Sequence, residues 1–272
     1  YGPIDLIWFD GGGKNWLGFG GVEFKQGVWR RRPADKPYTG RFDWEDEDVV
    51  SRLRAAQPGI IINDRTDAPA DWHSREGVNR LGEYDDQTPW ELCFTLAGSW
   101  GYQPNAKPRS MAELVSLVTR VATRGGNTLI NVGPAPDGSI PTDQVQRLEE
   151  LGEWLAIYGK AIYKTRGGPF IPVDGVGSTR EGSRAFLHVL PDENGLYPAS
   201  VTVPVLEGIS LKTVQVVGAN ANASFRLDSK SGISIVLPAF RQNRHSILLE
   251  LAYDRSLESV DARQLPPIII AY

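Results

Sequence analysis

The chain has 272 residues, 41% of them apolar, enough to bury a sizeable core as one large domain or two modest ones. Its formal charge of −4 includes no long single-sign run, which excludes the electrostatic footprint of a nucleic-acid binder. A lone cysteine, Cys93, excludes an intrachain disulfide and a cysteine-based metal cage, and the scattered His73, His188 and His245 argue against a multi-histidine metal site, so no metal is expected. No stretch approaches the roughly 18 apolar residues of a membrane span, and the chain opens on a strand-like run with no signal peptide to read.

The first 165 residues alternate strand-like and helix-like segments. Residues 4–9 form a short apolar run ending at Asp10 and Gly11-Gly12-Gly13. Residues 44–56 carry Val49, Val50, Leu53 and Ala56 at helical spacing, and Gln57-Pro58-Gly59 ends that helix. Ile60-Ile61-Ile62 predicts a buried strand closed by Asn63-Asp64-Arg65, and residues 92–96 a further strand. Ser110 with Glu113 forms a capping box for a helix carrying Leu114, Leu117, Val118 and Val121. Gly125-Gly126 ends it, residues 128–132 predict a fourth strand, and Thr142 opens a last helix with Val145, Leu148, Leu151 and Leu155 on one face. Alternating β and α units predict a parallel sheet, and four strands are half of an eight-stranded β/α barrel.

After Thr165 the pattern changes to short β-rich runs at 185–190, 200–205, 212–217, 224–227, 233–237 and 246–253, separated by turn clusters. The fold expected is therefore α/β plus all-β: the C-terminal half of a TIM-like barrel over 1–165, then an antiparallel β-sandwich over 166–272.

Chemistry in a β/α barrel sits at the C-terminal ends of strands. Three polar clusters are expected there: Trp8-Phe9-Asp10, Asn63-Asp64-Arg65 and the acidic loop from Glu83 to Glu91. An Asp at a strand tip suits a carboxylate nucleophile, and an Arg at the next tip could bond a sugar hydroxyl or keep the carboxylate ionised. An Asp after a strand is also a common helix cap or turn former, so spacing alone leaves both readings open.

The order of these clusters resembles the α-L-fucosidases of glycoside hydrolase family 29. Ile7-Trp8-Phe9-Asp10-Gly11 looks like that family's nucleophile strand, and Asn63-Asp64-Arg65 like its next strand tip. Trp90-Glu91-Leu92-Cys93, Ser99-Trp100-Gly101-Tyr102, and Asn131-Val132-Gly133-Pro134 with Asp137-Gly138-Ser139-Ile140-Pro141 match its later motifs in order. The resemblance implies a retaining α-L-fucosidase acting on fucosylated glycans without a cofactor. It makes Asp10 the nucleophile, with Trp8, Arg65 and Trp100 lining the fucose subsite.

Two departures from the family pattern shape the expectations. The earlier half of the barrel is missing from the sequence, and Thr-Pro-Glu, which often carries the acid/base, is absent. Glu83 and Asp86 stand nearest that position, with Asp85 and Glu76 as poorer substitutes. An inactive or glycan-binding half-barrel remnant that assembles with another chain is the rival reading. A half barrel exposes strand edges and an apolar face, which predicts homo-oligomerisation through the aromatic first loop (Trp16 to Trp44) or the run Pro266-Pro267-Ile268-Ile269-Ile270.

Other features have plainer readings. Gly11 to Gly21 fits no phosphate-binding pattern and is expected to be a flexible loop, and Arg30-Arg31-Arg32 a solvated face. Glu91 is expected to bond backbone, His73 to sit in the loop after Arg65, and Cys93 to pack in the core.

Overall fold

The computed structural model describes residues 2–10, 22–25, 28–31, 45–66, 68–219, 221–228, 232–238 and 245–268. They group into two compact units, 1–74 and 75–272. The architecture is mixed α/β and rich in sheet.

The first unit opens with β1 (Leu6–Ile7), continues through the antiparallel pair β2 (Val22–Lys25) and β3 (Val28–Arg31), and then helix α1 (Asp46–Ala56). Asp46, Glu47 and Asp48 fill the first turn of α1 and Arg54 its last, complementing the helix dipole. Gln57 ends the helix, and its side-chain oxygen accepts from Ile4 N–H at 2.8 Å, tying the chain start to the helix end. Strand β4 (Ile61–Ile62) follows and pairs in parallel with β1, Leu6 beside Ile61 and Ile7 beside Ile62. Alternation puts Ile7 and Ile62 on the side where Val50, Ile60 and Ala68 are buried, and leaves Leu6 and Ile61 exposed. A parallel bridge from Asn63 to Trp72 leads into β5 (His73–Glu76), so His73 belongs to a strand rather than a loop.

In the second unit β6 (Trp90–Thr95) and β7 (Asn127–Asn131) pair in parallel, Glu91 beside Asn127 and Thr95 beside Asn131. Helix α2 (Met111–Thr123) connects them, and Ser110 and Glu113 make the reciprocal capping box at its start. Gly125, in the left-handed region at φ 89, turns the chain from α2 into β7. Helix α3 (Thr142–Tyr158) completes this part.

Short strands then follow: β8 (Arg166–Gly167), β9 (Phe170–Ile171), β10 (Val176–Glu181), β11 (Arg184–Val189), β12 (Ser200–Val203), β13 (Leu211–Val216), β14 (Ala221–Asn222), β15 (Phe225–Asp228), β16 (Gly232–Val236), β17 (Ile247–Tyr253) and β18 (Arg263–Gln264). Most of them form a six-stranded sheet of order β14-β13-β17-β11-β10-β8 and a three-stranded sheet of order β12-β16-β15, while β9 and β18 pair in parallel with each other. Ala185, Leu187, Val189, Leu249 and Leu251 of the larger sheet share a core with Val201, Val203, Ile233 and Ile235 of the smaller. The alternate residues Phe186 and Leu248 pack instead with Val115 and Val118 of α2 and Leu151 and Trp154 of α3. A sheet covered on both faces explains why β11 is buried almost throughout.

Two further features bear on the expected pattern. Strand β10 (Val-Gly-Ser-Thr-Arg-Glu) is buried along most of its length although it is polar, because Ser178, Thr179 and Arg180 all find internal partners. Ile268 packs on the protein's own core, so the C-terminal apolar run is in part spoken for; Ile269 and Ile270 lie outside the described residues. Residues 11–21, with Trp16, Phe19, Tyr38, Phe42, Trp44 and Arg32, also lie outside them. Cys93 is buried as expected.

Candidate active site

Three sequence-predicted residues converge in the first unit. Where β1 and β4 run out, the buried Asn63 side chain continues their pairing. Its Nδ2 donates to Phe9 O at 2.9 Å, and its Oδ1 accepts from Phe9 N–H at 2.8 Å. That clamp keeps Trp8 and Asp10 level with Arg65. Arg65 Nη1 lies 3.4 Å from Asp10 Oδ1, and its guanidinium carbon lies 4.8 Å from the centre of the Trp8 ring. The carboxylate is 68% exposed while the arginine is 19% exposed, so the pair is a solvent-facing acid on a largely buried cation.

A second row of side chains stands behind Arg65. Its Nε donates to Ser74 Oγ at 2.9 Å. Ser74 Oγ and Ser74 N–H both reach Asp64 Oδ1, at 2.9 and 2.8 Å, and His73 Nδ1 lies 2.9 Å from Asp64 Oδ2. Burial pushes the Asp64 carboxyl up, but the bonds from Ser74 and His73 outweigh it and leave the group below its ordinary value. Sequence reading gave no role to Asn63, Asp64 or Ser74. The first two sit inside a motif already quoted; nothing local marks Ser74, whose role comes from strand β5 lying beside the tip of β4.

In the second unit Trp100 lies on the loop after β6, partly exposed, with its carbonyl accepting from Asn131 Nδ2 at 2.9 Å. Gly133 packs so closely on this loop that a Cβ there would lie 2.9 Å from the backbone of Gly101 and Tyr102. The Asn-Val-Gly-Pro and Ser-Trp-Gly-Tyr segments therefore form one structure at the C-terminal ends of β6 and β7.

The acidic loop is at the other end of those strands, contrary to expectation. Asp85 N–H donates to Arg124 O at 3.0 Å, and Trp90 Nε1 donates to Asp85 O at 3.2 Å, which fixes the loop beside the start of β6 and β7. Roughly 16 Å of strand separates it from the Trp100 end. Asp86 is occupied there: it accepts from the Tyr84 hydroxyl at 2.9 Å and the Gln87 amide at 2.8 Å, with Arg180 at 3.5 Å. Burial raises the Asp86 carboxyl, and Gln87, Tyr84 and Arg180 together bring it below its usual value. Glu83 is exposed on the same loop, near Arg124. Glu76, by contrast, is the exposed last residue of β5. Among the described residues no three of His, Cys, Asp or Glu are grouped to hold a metal ion.

A strand-tip carboxylate set against an arginine and an indole, on parallel strands linked by helices, places polar groups where α/β proteins of this kind carry their chemistry, at the C-terminal ends of the strands. Comparison narrows the class: residues 1–160 match the family described as alpha-L-fucosidase, and the chain belongs to that family. It is 28% identical over 237 residues to an alpha-L-fucosidase of Branchiostoma floridae, the alignment covering 80% of this chain and 50% of that protein. An alpha-fucosidase of Thermotoga maritima, solved with a mechanism-based inhibitor, superposes with a TM-score of 0.59 at 27% identity over 75% of this chain and 48% of that one. A Bacteroides thetaiotaomicron alpha-L-fucosidase shares the fold, with a TM-score of 0.69 at 18% identity, covering 92% of this chain and 56% of that one. The chain thus spans about half the length of the first of these relatives.

Proposed function

We propose that the chain carries the nucleophile side of a retaining α-L-fucosidase that hydrolyses terminal α-L-fucosides on fucosylated glycans. The observation that carries this reading is the meeting of Asp10, Arg65 and Trp8 at adjoining strand tips in a member of the alpha-L-fucosidase family. Asp10 attacks the anomeric carbon while an acid protonates the departing glycosidic oxygen, giving a covalent fucosyl-enzyme. The same group, now a base, takes a proton from water, whose attack releases fucose and restores the Asp10 carboxylate. The Thermotoga maritima relative was solved with a mechanism-based inhibitor, which supports a covalent course. Arg65 and Trp8 line the fucose subsite, and Trp100 is a further substrate-binding residue in this reading.

For the acid/base we put Glu76 ahead of Glu83 and Asp86. Chemistry belongs at the C-terminal ends of strands, where Glu76 stands, whereas Asp86 is held ionised by three partners. Residues 1–165 read as part of a (β/α)8 barrel and 166–272 as a β-sandwich. The exposed apolar Ile4, Leu6 and Ile61 suit cover by a second copy of the chain. Light scattering on a size-exclusion column tests this: a monomer at micromolar concentration rejects the second copy.

Hydrolysis of 4-nitrophenyl α-L-fucoside by the wild type, Asp10→Ala, Glu76→Gln and Glu83→Gln tests the mechanism. Loss in Asp10→Ala, and azide rescue of Glu76→Gln with retained anomeric configuration, is the expected result. Rescue confined to Glu83→Gln would move the acid/base to the acidic loop, and an inactive wild type would favour the assembling remnant.

A further inference from the structure

Arg65 is gripped from behind by a chain of hydrogen bonds whose direction is fixed. An ionised carboxylate can only accept, so the Ser74 hydroxyl must donate its one proton to Asp64 Oδ1 at 2.9 Å. Its lone pairs are thereby turned outward, and one receives Arg65 Nε–H at 2.9 Å. Asp64 cannot swing away from this task. Its Oδ1 also accepts Ser74 N–H at 2.8 Å, and its Oδ2 is 2.9 Å from His73 Nδ1. The result is a chain of contacts, carboxylate, hydroxyl, guanidinium, carboxylate, from Asp64 through Ser74 and Arg65 to Asp10. Gripped at Nε and stacked 4.8 Å from the Trp8 ring centre, the guanidinium has one face and one edge committed, which aims Nη1 at Asp10.

The geometry points to Ser74, oriented by Asp64 and His73, as a positioning residue that sets the angle of the Arg65 guanidinium toward Asp10 and the bound sugar. This rests on the fucosidase reading for what Arg65 does, but the relay itself is independent of it. Ser74 acts only through Arg65.

The test compares Ser74→Ala with Ser74→Thr, which keeps the hydroxyl. On 4-nitrophenyl α-L-fucoside, Ser74→Ala is expected to lose about tenfold in kcat/KM, the size of one hydrogen bond to a charged group, with Ser74→Thr near wild type. Equal melting temperatures would separate this from a folding defect. A second readout needs no activity: the Nε–H resonance of Arg65 in 15N-labelled protein, assigned by its loss in Arg65→Lys. It should be protected from solvent exchange in the wild type and Ser74→Thr, and exchange rapidly in Ser74→Ala. An unchanged resonance and unchanged kcat/KM in Ser74→Ala overturn the proposal, as does equal damage in Ser74→Thr. An inactive wild type with the resonance lost only in Ser74→Ala would uphold the relay and defeat the fucosidase reading.

Discussion

Asn63 holds the backbone of Phe9 by both hydrogen-bonding groups, donating to its carbonyl at 2.9 Å and accepting from its amide at 2.8 Å. This side chain does at the strand tips what a ladder would do within the sheet, and it brings Asp10 to Arg65. An isosteric change isolates the effect. Asn63→Asp keeps the shape but cannot donate when ionised, so a carboxylate would face the Phe9 carbonyl. It should cost as much as Asn63→Ala, about 2 kcal/mol or more in urea unfolding, since each leaves a buried group unpaired. Wild-type stability in Asn63→Asp would contradict the role given to this clamp.

Asp86 anchors the acidic loop to Arg180, which lies in the buried strand β10 and also donates to the carbonyls of Leu257 and Val260. The folded carboxyl lies below its unfolded value of about 3.9, so its contribution is complete above that pH and is lost as pH falls through the lower folded value. Asp86→Asn should therefore cost about 1–3 kcal/mol at pH 7, and this difference should shrink toward pH 2. Unfolding free energies measured across pH 2–7 decide it. A penalty that does not change with pH would show that the carboxylate charge contributes nothing.

His188 is buried on the helix-facing side of β11, with Nε2 3.2 Å from Thr179 Oγ1. Burial pushes its pKa down to about 4, against a smaller upward pull from the Ala161 backbone. The unfolded chain therefore binds one more proton than the folded one between about pH 6.5 and 4, and stability must fall as pH falls through that window. Integrated, the loss is on the order of 3 kcal/mol. His188→Gln should flatten the stability–pH curve between pH 6.5 and 4. A curve as steep as the wild type's would assign the effect to other groups.

Gly133 and Gly152 make a paired test of the loop that carries Trp100. A methyl group at Gly133 would meet Gly101 and Tyr102 backbone at 2.9 Å, whereas at Gly152, within α3, it meets nothing within 4 Å. Gly133→Ala should destabilise by about 1–3 kcal/mol and, on the proposed role of Trp100 in binding substrate, raise KM for a fucoside by displacing the Trp100 loop. Gly152→Ala should instead stabilise by about 0.5–1 kcal/mol through helix propensity alone. Thermal unfolding and KM of the two variants check this, and an unaffected Gly133→Ala would mean that the loop simply moves aside.

The features legible in the sequence are those that a few neighbouring residues decide. The Ser110–Glu113 box, the apolar stripe of α2, the Gly125 stop and the runs that became β6, β7, β11 and β17 each depend on periodicity or one turn, and they stand within a few residues of their expected places. The order of the Trp8–Asp10, Asn63–Arg65 and Trp100 motifs likewise named the family. Tertiary structure alone decided the rest, because it turned on partners distant along the chain. Strand β10 reads as polar and is buried because Arg180 finds the carbonyls of Leu257 and Val260. The acidic loop reads as a catalytic strand tip, yet Asp85 bonds Arg124 and fixes it at the opposite end of the sheet. Ser74 carries no motif; it gained a role when strand pairing set its hydroxyl between the carboxylate of Asp64 and the guanidinium of Arg65.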